Sequence, residues 1–280
     1  MPRTDSARIH STAVISDEAD LAADVQIGPF CVIEGRVVLG EGCVVHPHVH
    51  MIGPMTIGPR NQIWTGSVLG GPPQHLGYKG EATGIEIGTG NIFRESVTVH
   101  RGMPLGSGRG LTRIGDNNLF MAGSHVAHDC TVGDNNLFAN AALIGGHVEV
   151  GDRVLLSGNS AVHQFCRVGR LALLSGASAT SKDIPPFWIM QDVNQVCGVN
   201  IIGMRRAGIP TEEIQAVRKA FRMIYIERLP ISGVLDRLDR EMSKFAAIRE
   251  LVSFIRASKR GICGCYRAEE RHDDRPSAAA

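Results

Sequence analysis

Aliphatic side chains or Met recur at every sixth position of the first part of the chain: Ile9, Ile15, Leu21, Ile27, Ile33, Leu39, Val45, Met51, Ile57, Ile63 and Leu69. After an interruption the beat returns at Ile114 and Phe120 and runs through Val126, Val132, Phe138, Ile144, Val150, Leu156, Val162, Val168 and Leu174. A period of six fits neither the helical repeat nor the two-residue alternation of an amphipathic strand. It predicts a parallel β-helix of hexapeptide repeats, in which each hexad gives one short strand and one corner of a triangular prism. The string GDNNLF occurs at residues 115–120 and again at 133–138, three hexads on, so one coil takes roughly 18 residues. Residues one coil apart then stack about 4.8 Å apart. Gly, Asn and Asp at the corners tolerate the left-handed backbone that tight turns need. The pattern alone does not set the hand of the coil.

Residues 1–183 read as this solenoid, with loops projecting at 70–86 and 100–113, where the beat is lost or its phase breaks. Long loops on a rigid scaffold are where function concentrates. The hexads stop near Asp183, and Pro185-Pro186 enforces an extended exit. Residues 184–262 then read as an α-helical domain. Ile214, Val217, Phe221 and Ile224 mark a helix with Thr211 as its N-cap, and Leu235, Leu238, Met242, Phe245, Leu251, Val252 and Ile255 mark one or two more. The end, 263–280, is small and charged and is expected to be disordered.

A net charge of +1 argues against a general polyanion binder, so no nucleic-acid partner is expected. The start MPRTDSARIH lacks an apolar signal core and no stretch is long enough to span a bilayer, which makes a cytoplasmic protein the expectation. Cys31, Cys43, Cys130 and Cys166 each fall four residues after a hexad aliphatic, where a small buried thiol packs well. Cys263 and Cys265 lack a second ligand pair at zinc-site spacing. A solenoid of this length leaves flat faces to cover, and a homotrimer is the expected solution.

Stacking the coils gathers histidines. One coil beyond His128 is Gly146, one coil beyond Asp129 is His147, and two coils beyond Ala127 is His163, followed by Gln164. With His125, these residues converge on one edge. A neutral imidazole suits abstraction of a proton from a hydroxyl. Asp129 can orient it, and the N–H of Gly146 can serve a tetrahedral oxyanion. No Ser or Cys sits in a nucleophile motif, so direct transfer to a bound acceptor fits better than a covalent enzyme intermediate.

The segments IGPFCVI, RESVTVHRG, HVAHDCTVG, AVHQFC and the run from Gly198 to Arg206 resemble the UDP-N-acetylglucosamine O-acyltransferase family, which begins lipid A synthesis. The resemblance implies a left-handed parallel β-helix and a homotrimer. It also implies transfer of an (R)-3-hydroxyacyl chain from acyl carrier protein to the sugar 3-hydroxyl, without a cofactor or metal. Carried over, His128 is the general base, Asp129 its partner and Gly146 the oxyanion donor. Gln74, His125, His147, His163 and Gln164 line the substrate site, Asn200 and Arg206 lie near phosphates, and Gly176 sets acyl length. Three positions depart from the family pattern: His75 and Gly77 stand where Asp and Lys are usual, and Ile202 where Glu is usual.

Three other readings meet the same residues: the same chemistry on another nucleotide amino-sugar, a hexapeptide-repeat metal hydratase of the carbonic anhydrase type, and a non-catalytic scaffold. His46, His48 and His50 alternate on one strand, as a solvated face or a weak metal site. Arg205, Arg206, Arg218, Lys219 and Arg222 read as the polar side of the helices or as a basic surface for an acidic carrier protein.

Overall fold

In a computed structural model, which describes residues 8–227 and 230–265, the hexads build a three-sided prism. Its faces are sheets of twelve, nine and eight strands, and within the hexads every pairing is parallel, each strand lying against the strand one coil away. The first face contains Gln26–Ile27 and Leu119–Phe120, the second Val14–Ile15 and His125–Val126, and the third Asp20–Leu21 and Thr131–Val132. The hexad residues point inward: Ile27, Ile33, Leu39 and each later one of the series to Leu174 are buried. Ile9, on the first described coil with no neighbour beyond it among the described residues, is 45% exposed. The four thiols expected in the core are buried there.

The repeated GDNNLF string is explained position by position. At Gly115 and Gly133 a Cβ would stand 2.1 and 2.2 Å from the Oδ1 of Asp134 and Asp152, so only glycine fits. Asp116 Oδ1 accepts the N–H of Thr89, and Asp134 Oδ1 accepts that of Asp116. Asn117 and Asn135 take the corner, with φ of 55° and 57°. Asn118 and Asn136 join a buried ladder in which each side-chain oxygen accepts the backbone N–H of the Asn or Val one coil on. Phe120 and Phe138 pack against each other inside the prism, their rings tilted by 35° with centroids 4.7 Å apart.

Stacked residues are 18 apart where the coil is regular, as for Asn118 and Asn136. The separation grows to 30 between Asn61 and Asn91 and to 27 between Asn91 and Asn118. The two expected loops supply the surplus, with narrower bounds than the sequence suggested: Gly84–Ile87 and Leu111–Ile114 are third-face strands, leaving residues 72–83 and 101–110 to project. Both loops leave the prism between its second and third faces, so they overhang one edge.

The chain beyond the hexads is not helical from its start. Trp188–Gln191 continues the first face and pairs antiparallel with Gln195–Val199. Four helices follow: α1 (Ile201–Arg206), α2 (Thr211–Tyr225), α3 (Ile231–Met242) and α4 (Ala246–Arg256). Thr211 is the first helical residue, and the capping position belongs to Pro210, whose ring fixes φ at −56° ahead of the helix. The segment expected to be disordered begins with order: Gly264–Cys265 pairs with Gln195–Val196, and Cys263 is buried against Thr180. The remainder, 266–280, lies outside the described residues. Among the described residues no helix is long and apolar enough to cross a membrane.

Candidate active site

The corners between the second and third faces, at 127–129, 145–147 and 163–165, stack directly above the two projecting loops. Asp129, His147 and Phe165 hold equivalent corner positions with φ of 61°, 62° and 64°. This left-handed backbone is uncommon outside glycine and turns each side chain out along the edge.

His128 and Asp129 form the centre. Nδ1 of His128 lies 2.7 Å from Oδ2 of Asp129, and both residues are buried. An ionised carboxylate only accepts, so Nδ1 carries the proton and Nε2 is left with its lone pair. Oδ2 also accepts the N–H of Met103 at 2.9 Å, and Oδ1 accepts that of Arg109, so the 101–110 loop feeds two further donors into the carboxylate. Burial pushes the Asp129 carboxyl up, but the His128 bond, the two loop N–H groups and nearby His147 together hold it below the usual carboxylate range.

Gly146 lies over the His128 ring. A Cβ there would stand 2.6 Å from Cε1 and 2.7 Å from Nε2, contacts that real side chains do not make. The N–H groups of Gly145 and His147 are taken by the carbonyls of Val162 and His128, whereas that of Gly146 has no acceptor among the described residues. His147 closes the other side, perpendicular to His128 with centroids 5.2 Å apart, and stacks flat on Phe165 at 4.4 Å. Its Nε2 is 3.8 Å from Asp129 Oδ2. Burial pulls its pKa down, and the Asp129 charge only partly opposes this.

His125 stands on the second face, with Nδ1 2.7 Å from Thr98 Oγ1. His100 packs edge-on against it at 5.0 Å and is buried. Burial, reinforced by His125 and His128, pushes His100 down to about 4, and burial lowers His125 as well. The centre is therefore lined by neutral imidazoles. From the 72–83 loop, exposed His75 meets His128 edge-on at 5.7 Å, with Gln74 beside it in the chain. Its Nδ1 accepts the N–H of Gly77 at 3.0 Å.

Not every expected residue joins the buried centre. His163 and Gln164 lie on the same edge, one coil above the Gly145–His147 corner, and are exposed. Asn200 is the N-cap of α1: its Oδ1 accepts the Gly203 N–H and its Nδ2 donates to the Leu171 carbonyl, both at 2.9 Å. Arg206 and Ile202 are exposed on the same helix. Gly176 lies at the corner between the first and second faces, a different edge of the prism. Conversely, His75, His100 and Phe165 were missed as members of the cluster. Phe165 is one regular coil beyond His147 and could have been found by that step. His100 was hidden because its coil is lengthened by the 101–110 loop.

His128, Asp129 and His147 bring ligand-type atoms within 4.8 Å of one another, a grouping that can in principle hold a metal ion. The donor set fits poorly. Oδ2 of Asp129 already takes two hydrogen bonds and Oδ1 a third, which leaves the carboxylate little capacity as a ligand.

The same conclusion about ancestry comes from known proteins. Residues 183–263 match the family model for UDP-N-acetylglucosamine O-acyltransferase, domain 2, and residues 18–53 and 111–146 match bacterial transferase hexapeptide repeats. The acyl-[acyl-carrier-protein]–UDP-N-acetylglucosamine O-acyltransferase of Azorhizobium caulinodans is 49% identical over 271 residues, covering 96% of this chain and 99% of the relative. The enzyme of that name from Thermodesulfovibrio yellowstonii is 40% identical over 256 residues, or 91% of this chain and 98% of the relative. The solved UDP-N-acetylglucosamine acyltransferase of Francisella novicida superposes with a TM-score of 0.89 at 33% identity, covering 94% of this chain and 96% of the other. That of Campylobacter jejuni gives 0.87 at 32% identity, covering 93% and 100%. The prism is thus the left-handed parallel β-helix with a helical C-terminal region expected from the resemblance. The chain belongs to the UDP-N-acetylglucosamine O-acyltransferase family.

Proposed function

We propose that this protein transfers an (R)-3-hydroxyacyl chain from acyl carrier protein to the 3-hydroxyl of UDP-N-acetylglucosamine, the first step of lipid A biosynthesis, in the cytoplasm. The observation that carries the reading is the buried His128–Asp129 pair beneath a glycine whose N–H is unused. Nε2 of His128 takes the proton of the acceptor hydroxyl as its oxygen attacks the thioester carbon. Asp129 keeps the proton on Nδ1 and stabilises the imidazolium that forms, and the Gly146 N–H receives the developing oxyanion. Collapse expels the carrier thiolate, which recovers the proton from His128. No cofactor or metal enters these steps.

The acceptor approaches beneath the 72–83 loop, between His75 and His125. Asn200 and Arg206 bind phosphates from a neighbouring copy, since within one protomer they lie apart from the histidine edge. A homotrimer supplies that copy. Its support is the outward column Ile92, Leu119, Leu137, Leu155 and Leu173 on the first face, half-buried aliphatics that a single prism leaves unpaired. The adjoining corner carries Gly158 and Gly176, where a Cβ would meet nothing closer than 3.5 and 3.6 Å. That open corner is where an acyl tail can extend, and a glycine at 176 suits a longer chain.

The test is an assay of purified protein with 3-hydroxyacyl carrier proteins of several lengths and UDP-N-acetylglucosamine. A new ester on the sugar supports the reading. Absence of product with every donor, alongside turnover of another nucleotide amino-sugar, would move the acceptor assignment to the His75 region and leave the chemistry in place.

A further inference from the structure

We propose that Arg109 is a positioning residue for the Asp129–His128 pair: its side chain pins the 101–110 loop so that the loop backbone holds Asp129 charged and aimed. The inference rests on the acyl-transfer reading with His128 as base. It concerns what keeps the carboxylate, which is fully buried, in its working state.

A carboxylate removed from water must be supplied with donors or it takes up a proton. Asp129 has three, and two of them are the N–H groups of Met103 and Arg109. The loop must therefore lie tight against the edge. Gly108 permits this: a Cβ at that position would be 2.7 Å from both carboxylate oxygens and 2.4 Å from Met103 Cβ.

A loop of this length needs something to hold it down, and the Arg109 guanidinium does so. Nη1 donates to Thr131 Oγ1 at 2.9 Å and Nη2 pairs with Glu149, whose other oxygen lies 3.6 Å from Arg167 Nε. Thr131 and Glu149 are register partners on consecutive coils of the third face. One residue thus grips two coils with its planar fork while its own N–H reaches back to Asp129. The Arg109–Glu149 pair is nearly half exposed, so it adds little to global stability and its consequence is local.

The experiment compares Arg109→Ala, Arg109→Lys and Glu149→Gln with the parent in steady-state acyl transfer and in hydrogen exchange followed by mass spectrometry. Arg109→Ala and Glu149→Gln should lower kcat by about tenfold or more, as misplacement of a catalytic group does, with KM for both substrates little changed. Arg109→Lys, which replaces the fork by one point charge, should fall between. In an Asp129→Asn background, Arg109→Ala should cost nothing further, because both act through one carboxylate. Exchange at the Met103 and Arg109 amides should accelerate in Arg109→Ala and Glu149→Gln. Unchanged kcat and unchanged protection would overturn the proposal, as would an equal loss in the Asp129→Asn background. A parent protein without transferase turnover would count against the function, while the exchange data would still decide the clamp.

Discussion

Nδ1 of His128 and Oδ2 of Asp129 lie 2.7 Å apart in a buried pair, and this one contact fixes which ring nitrogen keeps its lone pair. The carboxylate is in turn fixed by backbone donors from a loop that enters between two regular coils. The position of the proposed base is therefore set by the periodic scaffold, and its orientation by an interruption of the period.

Replacing His128 by Ala should lower kcat by about 10²–10⁴-fold, the range for loss of a general base, while the oligomer and the melting temperature stay close to the parent values. Asp129→Asn should cost a comparable factor, because the charge is lost and the new NH2 sets a donor either against the Arg109 N–H or against the Met103 N–H and His128 Nδ1. Near-normal turnover of His128→Ala would remove it from the chemistry.

Gly146→Ala makes a sharper test of the oxyanion edge. The new methyl would sit 2.6 Å from His128 Cε1, so the ring must move and kcat should fall by about tenfold to a hundredfold. Gly233→Ala, on an exposed position of α3 where a Cβ would meet nothing within 4 Å, is the control. Equal kcat in the two variants would refute the placement.

The departures at His75 and Gly77 form one structural unit. A Cβ at Gly77 would lie 3.1 Å from both Cε1 and Nδ1 of His75, so Gly77→Lys alone should disturb the His75 ring and raise the acceptor KM. The double change His75→Asp with Gly77→Lys relieves that contact and should recover acceptor binding more than the single changes sum to. Additive effects on KM would show that the two positions act separately.

The hexad beat made the fold legible, because the inward series Ile27 to Leu174 is the core itself. The same counting by eighteen stacked Gly146 on His128 and His147 on Asp129, since those coils are regular. It failed where coils are long. His100 and the Met103 and Arg109 donors reach the site across separations that are not whole coils, as in the 26 between Met103 and Asp129 and the 20 between Arg109 and Asp129, and no period announces them. The helical region was readable from its apolar spacing, but the Trp188–Gln191 and Gln195–Val199 hairpin was not. Those strands finish the first face by pairing with it, a tertiary demand that local pattern does not carry.

The aliphatic column on the first face gives a separate test of assembly. Leu137→Glu and Leu155→Glu place charges on outward positions that are half-buried in one protomer, so each folds as a prism. Light scattering should show a trimer for the parent and monomers for both variants, with transferase activity lost if Asn200 and Arg206 serve a neighbour's histidine edge as proposed. A trimer that survives both charges would place the interface elsewhere.

The histidine edge also sets an acid limit on stability. His100 titrates near its unperturbed value in the unfolded chain, but burial first, then His125 and His128, bring it to about 4 in the folded protein. The unfolded state therefore binds more protons between those two values. Stability is complete above about pH 6.5 and is lost as the pH falls toward 4, by at most roughly 3 kcal/mol for His100. His125 and His147 are lowered in the same direction and add to the loss. Asp129, held low, contributes only at more acid pH. Calorimetry from pH 7.5 to 4.5 should show the melting temperature falling across this window, and the fall should be shallower in His100→Gln, which has no proton to gain. Parallel curves for the parent and that variant would mean that His100 is charged at no cost in the fold, and the neutral imidazole lining would have to be given up.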